Sequence, residues 1–265
     1  MKYISTRGNN QNMTSAQAII AGLAKDGGLF VPESIPQVDM EFIQSLSDLS
    51  YQQRAVKVLS CFLTDYTQEE ITGCVERAYG NGKFDDKAVA PLNIMDDLSV
   101  LELWHGPTSA FKDMALQLLP QLLSTALKKT GEKNQVLILV ATSGDTGKAA
   151  LEGFRDVDQT KIIVFYPENG VSRIQRLQMV TQQGNNVAVT AVKGNFDDAQ
   201  SGVKAIFSHK EFNEKLNEAG VSLSSANSIN WGRLVPQIVY YFSAYADLLR
   251  VGKIKAGDKI SFTVP

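Results

Sequence analysis

An α/β protein, with a mostly parallel sheet covered by helices, is the fold class this sequence predicts, and three observations predict it. From about residue 100 onward, short apolar runs alternate with segments of helical period, the rhythm of strand–helix–strand units joined by right-handed crossovers. The runs Val136-Leu137-Ile138-Leu139-Val140 and Ile162-Ile163-Val164-Phe165 are unbroken apolar, as strands covered on both faces should be. The 265 residues are 44% apolar with a net charge of −2, enough to bury one large core or two medium ones.

Taken in order, residues 14–78 read as helical. Ala16, Ile19, Ile20 and Leu23 fall on one face, and Gly27-Gly28 is placed to close that helix with left-handed residues. Ser50 with Gln53 and Thr67 with Glu70 are capping-box signatures ahead of two further apolar-periodic stretches, and Gly80-Asn81-Gly82 marks a loose end. Strands are then expected over 100–104, 136–141, 162–166 and 187–192. Helices are expected over 113–129 and from Gly147, Ser172 and Asp197, the last capped by Asp197 with Gln200. A long helix from Arg233 carries Leu234, Ile238, Phe242, Tyr245 and Leu249 on one side, and residues 259–265 read as one more strand.

Composition excludes several classes. Acidic and basic residues nearly balance and form no basic block, so neither a nucleic-acid surface nor a polybasic membrane anchor is indicated. The first residues lack the apolar core of a secretory signal, and no apolar run approaches the ~20 residues that span a bilayer, which leads to the expectation of a cytoplasmic protein with small-molecule partners. Cys61 and Cys74 are the only cysteines. Without nearby histidines they make neither a zinc site nor a disulfide framework, and no metal is expected.

Ligands of such sheets collect outside the carboxyl ends of the strands, so the connecting loops carry the chemistry. Trp104-His105-Gly106-Pro107-Thr108-Ser109-Ala110-Phe111-Lys112-Asp113 sets one lysine among small and apolar residues. A desolvated, immobilised amine reacts with carbonyls, which makes Lys112 a candidate Schiff-base lysine. A cation in a first helical turn opposes the macrodipole by about 0.3–1 kcal/mol unless something anionic is near. Thr142-Ser143-Gly144-Asp145-Thr146-Gly147 follows an apolar strand and opens a helix, so its amides and hydroxyls suit an anion. Gly147-Lys148-Ala149 lacks both the spacing and the hydroxyl of a nucleotide-triphosphate loop, and a carboxylate ligand fits better. Lys193-Gly194-Asn195-Phe196-Asp197-Asp198 reads as a cap, because paired aspartates repel phosphate. Asn227-Ser228-Ile229-Asn230-Trp231-Gly232-Arg233 gathers amide, hydroxyl and guanidinium groups, with Arg233 the best phosphate clamp by side-chain chemistry. His105 reads either as a ligand-orienting group or as a hydrogen-bonded structural histidine, and His209 as a surface residue.

Together with Tyr3-Ile4-Ser5-Thr6-Arg7-Gly8 and Asp26-Gly27-Gly28-Leu29-Phe30-Val31-Pro32, these segments resemble the threonine synthases, pyridoxal-phosphate (PLP) enzymes of the tryptophan-synthase β-subunit fold type. The resemblance spans nearly the whole chain in the right order. It implies PLP fold type II, with a helical N-terminal region (1–88), the first part of a large PLP-binding domain (89–125), a small α/β domain (126–228) and a return to the large domain (229–265). It implies that Lys112 holds pyridoxal 5'-phosphate and shuttles protons, and that O-phospho-L-homoserine and water become L-threonine and phosphate by γ-elimination and β-addition. By the same resemblance Phe111 lies against the pyridine ring and Asp145 near the cofactor's phenolic oxygen. Ser143, Gly144, Thr146 and Gly147 take the substrate carboxylate, and Asn227, Ser228, Asn230 and Arg233 serve the substrate phosphate or the closing of the site.

Members of that family continue past the end of this chain. The expectation is therefore a truncated threonine synthase, monomeric or homodimeric in its assembly, whose C-terminal part of the fold is missing. A Gly-rich phosphate loop and the group facing the pyridine nitrogen are expected to lie outside it, leaving the chain alone inactive and weak in cofactor binding. Two other readings stay open: a serine or threonine dehydratase, which shares the lysine turn but needs no phosphate clamp, and a non-catalytic homologue that binds phosphorylated ligands.

Overall fold

The structure is a computed structural model that describes residues 1–8, 12–80, 82–96 and 98–264; Asn81 and Pro265, which figure in the expectations above, lie outside the described residues. Strand β1 (Tyr3–Ser5) leads to helix α1 (Ser15–Ala21) and strand β2 (Phe30–Pro32), which pairs antiparallel with β1. This ribbon escapes the helical reading of the N-terminal region because three-residue strands are too short to show a period. Helix α1 ends at Gly22, with φ 68°, ahead of the expected Gly27-Gly28, and Leu23 is 40% exposed. Gly27 and Gly28 instead turn the chain back into β2, with the Ala24 amide donating to the Gly28 carbonyl.

Helices α2 (Met40–Gln44), α3 (Tyr51–Phe62) and α4 (Gln68–Tyr79) follow. The capping boxes at Ser50 with Gln53 and Thr67 with Glu70 form as the spacing predicts, and a third joins Thr14 to Gln17. Strands β3 (Leu92–Ile94) and β4 (Ser99–Leu101) make an antiparallel hairpin. The strand expected over 100–104 is thus shorter and lies outside the parallel sheet, so the lysine turn leaves a hairpin. The single helix expected over 113–129 is two: α5 (Asp113–Leu116) and α6 (Leu119–Thr130). Pro120 sits in the first turn of α6, where its missing N–H and fixed φ favour a fresh helix start over continuation.

Strand β5 (Gln135–Ala141), helix α7 (Asp145–Phe154), strand β6 (Thr160–Pro167), helix α8 (Arg173–Val180), strand β7 (Val187–Val192), helices α9 (Phe196–Ser208) and α10 (Lys210–Glu218), and strand β8 (Val221–Ser224) build a four-stranded parallel sheet in the order β7-β6-β5-β8. Pleating sends Val136, Ile138 and Val140 into the main core and Leu137, Leu139 and Ala141 into a smaller cluster under α9 with Ala199 and Val203. Two covered faces are why β5 reads as an unbroken apolar run. The cap of α9 is Asn195 reciprocated by Asp198, one box upstream of the expected Asp197 with Gln200. Helix α10 and strand β8 are short and carry few apolar residues, so neither stands out in the sequence.

Helix α11 (Trp231–Arg250) starts at Asn230. Its fully buried stripe is Val235, Val239, Tyr240, Ser243 and Ala246, while Leu234, Ile238, Phe242, Tyr245 and Leu249 form a half-buried flank. Residues 259–264 form no strand and are mostly exposed: an apolar–polar run becomes a strand only when a neighbouring edge accepts it, and none does among the described residues. No helix among them is long and apolar enough to cross a membrane.

Candidate active site

The strand order contains a reversal. From β5 the chain steps outward through β6 to β7, then returns to add β8 on the opposite side of β5, which places a topological switch point between the carboxyl ends of β5 and β8. The loops leaving those ends, 142–144 and 225–230, carry two of the candidate motifs. Gly194, by contrast, follows the edge strand β7, and its loop is closed on itself by the Asn195–Asp198 box.

Lys112 reaches this point from α5. Its Nζ lies 3.8 Å from Asp145 Oδ2, at the first residue of α7, and 4.5 Å from the centroid of the Phe111 ring. Phe111 is 46% exposed, so one large aromatic face stands beside the amine. The anion that a first-turn cation needs is therefore supplied from 33 positions downstream. Asp145 is held in turn by Gln175 of α8, whose Nε2 donates to Oδ1 at 2.8 Å. Gln175 fills the space beside Gly144: an added Cβ there would lie 2.4 Å from the Gln175 side chain, and Gly144 has φ 147°.

The 142–147 loop is less open than its sequence implies. The buried Thr142 hydroxyl accepts from the amides of Gly144 at 3.0 Å and Gly147 at 2.9 Å. Those two amides are accordingly turned inward, and the ones that find no acceptor among the described residues belong to Ser143, Asp145 and Thr146. Gly147 is needed for packing: a Cβ would meet Thr142 Cγ2 at 2.5 Å, Val164 Cγ1 at 2.8 Å and Met179 Sδ at 2.9 Å.

The 227–233 segment divides into two. Asn230 is buried and fully engaged, donating to the carbonyls of Ile19 (3.0 Å) and Ser225 (3.2 Å) and accepting from the Gly232 amide. It fastens α11 to α1. Arg233 is 5% exposed; Nη1 donates to the Ala226 carbonyl and Nε has no partner among the described residues. Burial lowers its pKa to about 10, against the opposing charge of Asp113. The Arg233 guanidinium thus lies inside the protein, within reach of the Asp113 charge. Ser228 is exposed and Asn227 half-buried.

His105 is hydrogen-bonded on both sides, to Asp85 at 2.6 Å and Glu102 at 2.8 Å, and stacks on Trp104. Its Glu102 and Asp85 partners raise its pKa. It joins the hairpin to the 85–90 turn, with both ring nitrogens engaged. His209 caps α10 by accepting from the Phe212 amide. Among the described residues no cluster of histidine, cysteine or acidic groups has the make-up of a metal site.

Sequence reasoning missed Thr108, Asp113 and Gln175. Asp113 lay within the quoted motif, and the Ser172-x-x-Gln175 spacing is itself a capping box; the link from Gln175 to Asp145 is tertiary and has no sequence signal.

Residues 2–79 match the family described as the threonine synthase N terminus. A threonine synthase of Pseudomonas aeruginosa is 46% identical over 250 residues, covering 94% of this chain and 51% of that protein. Human threonine synthase-like 1 is 40% identical over 260 residues, 34% of its own length. A crystal structure of PLP-bound threonine synthase from Brucella melitensis superposes with a TM-score of 0.85 at 43% identity, covering 94% of this chain and 52% of that one. The yeast threonine synthase structure gives 0.82 at 38%, covering 92% and 49%. By sequence and by fold the chain matches the N-terminal half of threonine synthases, and it spans about half the length of those it matches.

Proposed function

We propose that this chain carries the lysine-bearing part of a PLP-dependent threonine synthase site that turns O-phospho-L-homoserine into L-threonine and phosphate. The observation that carries the reading is the meeting of Lys112 with Asp145 at the switch point between β5 and β8. The donor set fits the cofactor's lysine side: an amine for its aldehyde, the open face of Phe111 for its ring, and an anchored carboxylate beside them. When bound, pyridoxal phosphate supplies the electron sink for carbanion chemistry.

The chain's own residues then have distinct tasks. Lys112 binds the cofactor and moves the substrate's α- and β-protons. Phe111 packs on the ring and excludes water from one face. Asp145, kept in place by Gln175, orients the lysine side of the site. Ser143 and Thr146 offer free amides and hydroxyls to the substrate carboxylate, while Gly144 and Gly147 provide the close approach that lets the loop sit there. Ser228 and Asn227 are placed for the phosphate or for closing the site, with Arg233 behind them. The division into 1–88, 89–125, 126–228 and 229–265 is proposed with this reading, as is a cytoplasmic location.

The test is borohydride trapping after addition of millimolar pyridoxal phosphate, followed by peptide mapping. The label is expected on Lys112, and label on Lys128 or Lys148 in its place would end the assignment. Release of phosphate from O-phosphohomoserine, with no ammonia released from serine, separates the reading from a dehydratase. Ligand binding untouched by Lys112→Ala would instead indicate a non-catalytic phospho-ligand protein.

A further inference from the structure

Lys112 has no anchor of its own. As the residue preceding α5 it makes no side-chain capping bond, and its amine meets only the Phe111 ring and the Asp145 carboxylate among the described residues. Its placement comes from the 106–112 turn, and that turn is wound on the side chain of the next residue. Asp113 is 0% exposed. Its Oδ2 accepts the Thr108 amide at 2.8 Å and its Oδ1 the Thr108 hydroxyl at 2.7 Å. Gly106 lies so close that an added Cβ would stand 2.5 Å from the Asp113 Cβ. Ser109 takes φ 55°, a left-handed conformation that costs a non-glycine residue about 1–2 kcal/mol and needs surrounding contacts to hold it. The turn is closed by backbone bonds from Ser109 to Gly106 and from Asp113 to Ala110.

An ordinary first-turn aspartate faces solvent and favours the helix N-terminus. Asp113 points the other way, to a residue five positions earlier, and it is fully buried. The end of α5 behind it is also fixed: the Tyr79 hydroxyl donates to the Met114 carbonyl at 2.5 Å, and Leu116 rests on Gly153 of α7.

We propose that Asp113 is the positioning residue for Lys112, its buried carboxylate serving as the hub that holds the 106–112 turn and so fixes where the amine stands. The role in catalysis rests on the reading of Lys112 as the cofactor lysine; the holding of the turn does not. Burial raises the Asp113 pKa, and the two Thr108 hydrogen bonds work against that rise. The carboxylate is thus retained at a cost in desolvation that helix capping alone would not require.

Two substitutions test this. Asp113→Asn keeps the shape and removes a buried charge, but one of the two oxygens becomes a donor facing Thr108. Thr108→Val removes only the hydroxyl. Hydrogen exchange of the 106–113 peptides is measured without ligand, and pyridoxal-phosphate label on Lys112 is measured relative to exposed Lys215 in the same molecule. Asp113→Asn is expected to speed exchange of the turn about tenfold, as loss of a hydrogen bond to a charged group predicts, and to lower the label ratio severalfold. Thr108→Val should shift both in the same direction by less.

Unchanged exchange and an unchanged ratio in a folded Asp113→Asn protein would overturn the proposal. Should that variant not fold, unchanged values in Thr108→Val would do so. Absence of Lys112 label in the unsubstituted chain overturns the pyridoxal reading alone, and the exchange readout still decides the role of Asp113.

Discussion

Gly153→Ala sets helix propensity against packing. Gly153 lies in the last turn of α7, where propensity alone makes alanine more stable by up to about 1 kcal/mol. An added Cβ, however, would stand 1.9 Å from the Leu116 carbonyl oxygen and 2.9 Å from its carbon. That neighbour is backbone and has no rotamer to escape into. Restoring ordinary contact requires α5 and α7 to part by more than an ångström along a seam of fully buried residues, Leu116, Ala150 and Leu151 among them. Overpacking typically costs about 1–3 kcal/mol, and a backbone neighbour puts this case at the upper end, so after the propensity gain the net loss is about 2 kcal/mol. For a chain of this size that is a fall in Tm of about 4–8 °C, at roughly 2–4 °C per kcal/mol. The same separation draws Lys112, carried on α5, away from Asp145, carried on α7, so the Lys112 label ratio should fall with Tm. Thermal denaturation followed by circular dichroism measures the first effect. A Gly153→Ala protein with an equal or higher Tm would refute the tight seam, and with it the claim that the seam sets the distance between lysine and carboxylate.

Other expectations follow from buried charge and from titration. Arg54 is 4% exposed and its guanidinium serves the carbonyls of Leu46 and Ser47, the Ser243 hydroxyl and Asp247; Arg54→Met strands these acceptors and should cost about 3–5 kcal/mol in urea unfolding. The folded-state pKa of His105 is raised by Glu102 and Asp85, so its contribution is full below the unfolded value of about 6.5 and is lost as pH rises through the folded one. The stability difference between the unsubstituted chain and His105→Gln should therefore be largest near pH 6 and shrink toward alkaline pH; a difference that grows with pH would contradict the bridge to Glu102 and Asp85.

The parallel sheet was legible because both faces of β5 and β6 are covered, which turns buried strands into continuous apolar runs, and the helix starts were legible because Ser50 and Thr67 announce themselves chemically. The elements that escaped are those whose existence is tertiary. β1 and β2 are three-residue strands that form by finding each other, α10 buries nothing, and β8 is a short strand whose place beside β5 creates the switch point. At the site, residue types disclosed the lysine turn and the anion-type loop but not their internal wiring. Thr142 takes up the amides of Gly144 and Gly147, Asn230 is consumed in tying α11 to α1, and Asp113 spends its charge on Thr108. In each case a polar residue of a candidate loop satisfies a buried backbone group first, as buried polar groups must.

That wiring divides the site mechanically. On the lysine side every support is interior: Asp113 beneath the turn, Tyr79 on the Met114 carbonyl, Gly153 against Leu116, and Arg233 buried within reach of the Asp113 charge. On the opposing side Ser143, Asp145 and Ser228 are exposed, and the Asp145 carboxylate is steadied by an amide from α8. Reactive groups gain from being held within fractions of an ångström by packed neighbours, whereas loops that receive a ligand gain from freedom to adapt. The arrangement assigns precision to the amine and accommodation to the groups that meet it. Arg233 belongs with the first set: its guanidinium is 5% exposed, donates to the Ala226 carbonyl and feels the Asp113 charge.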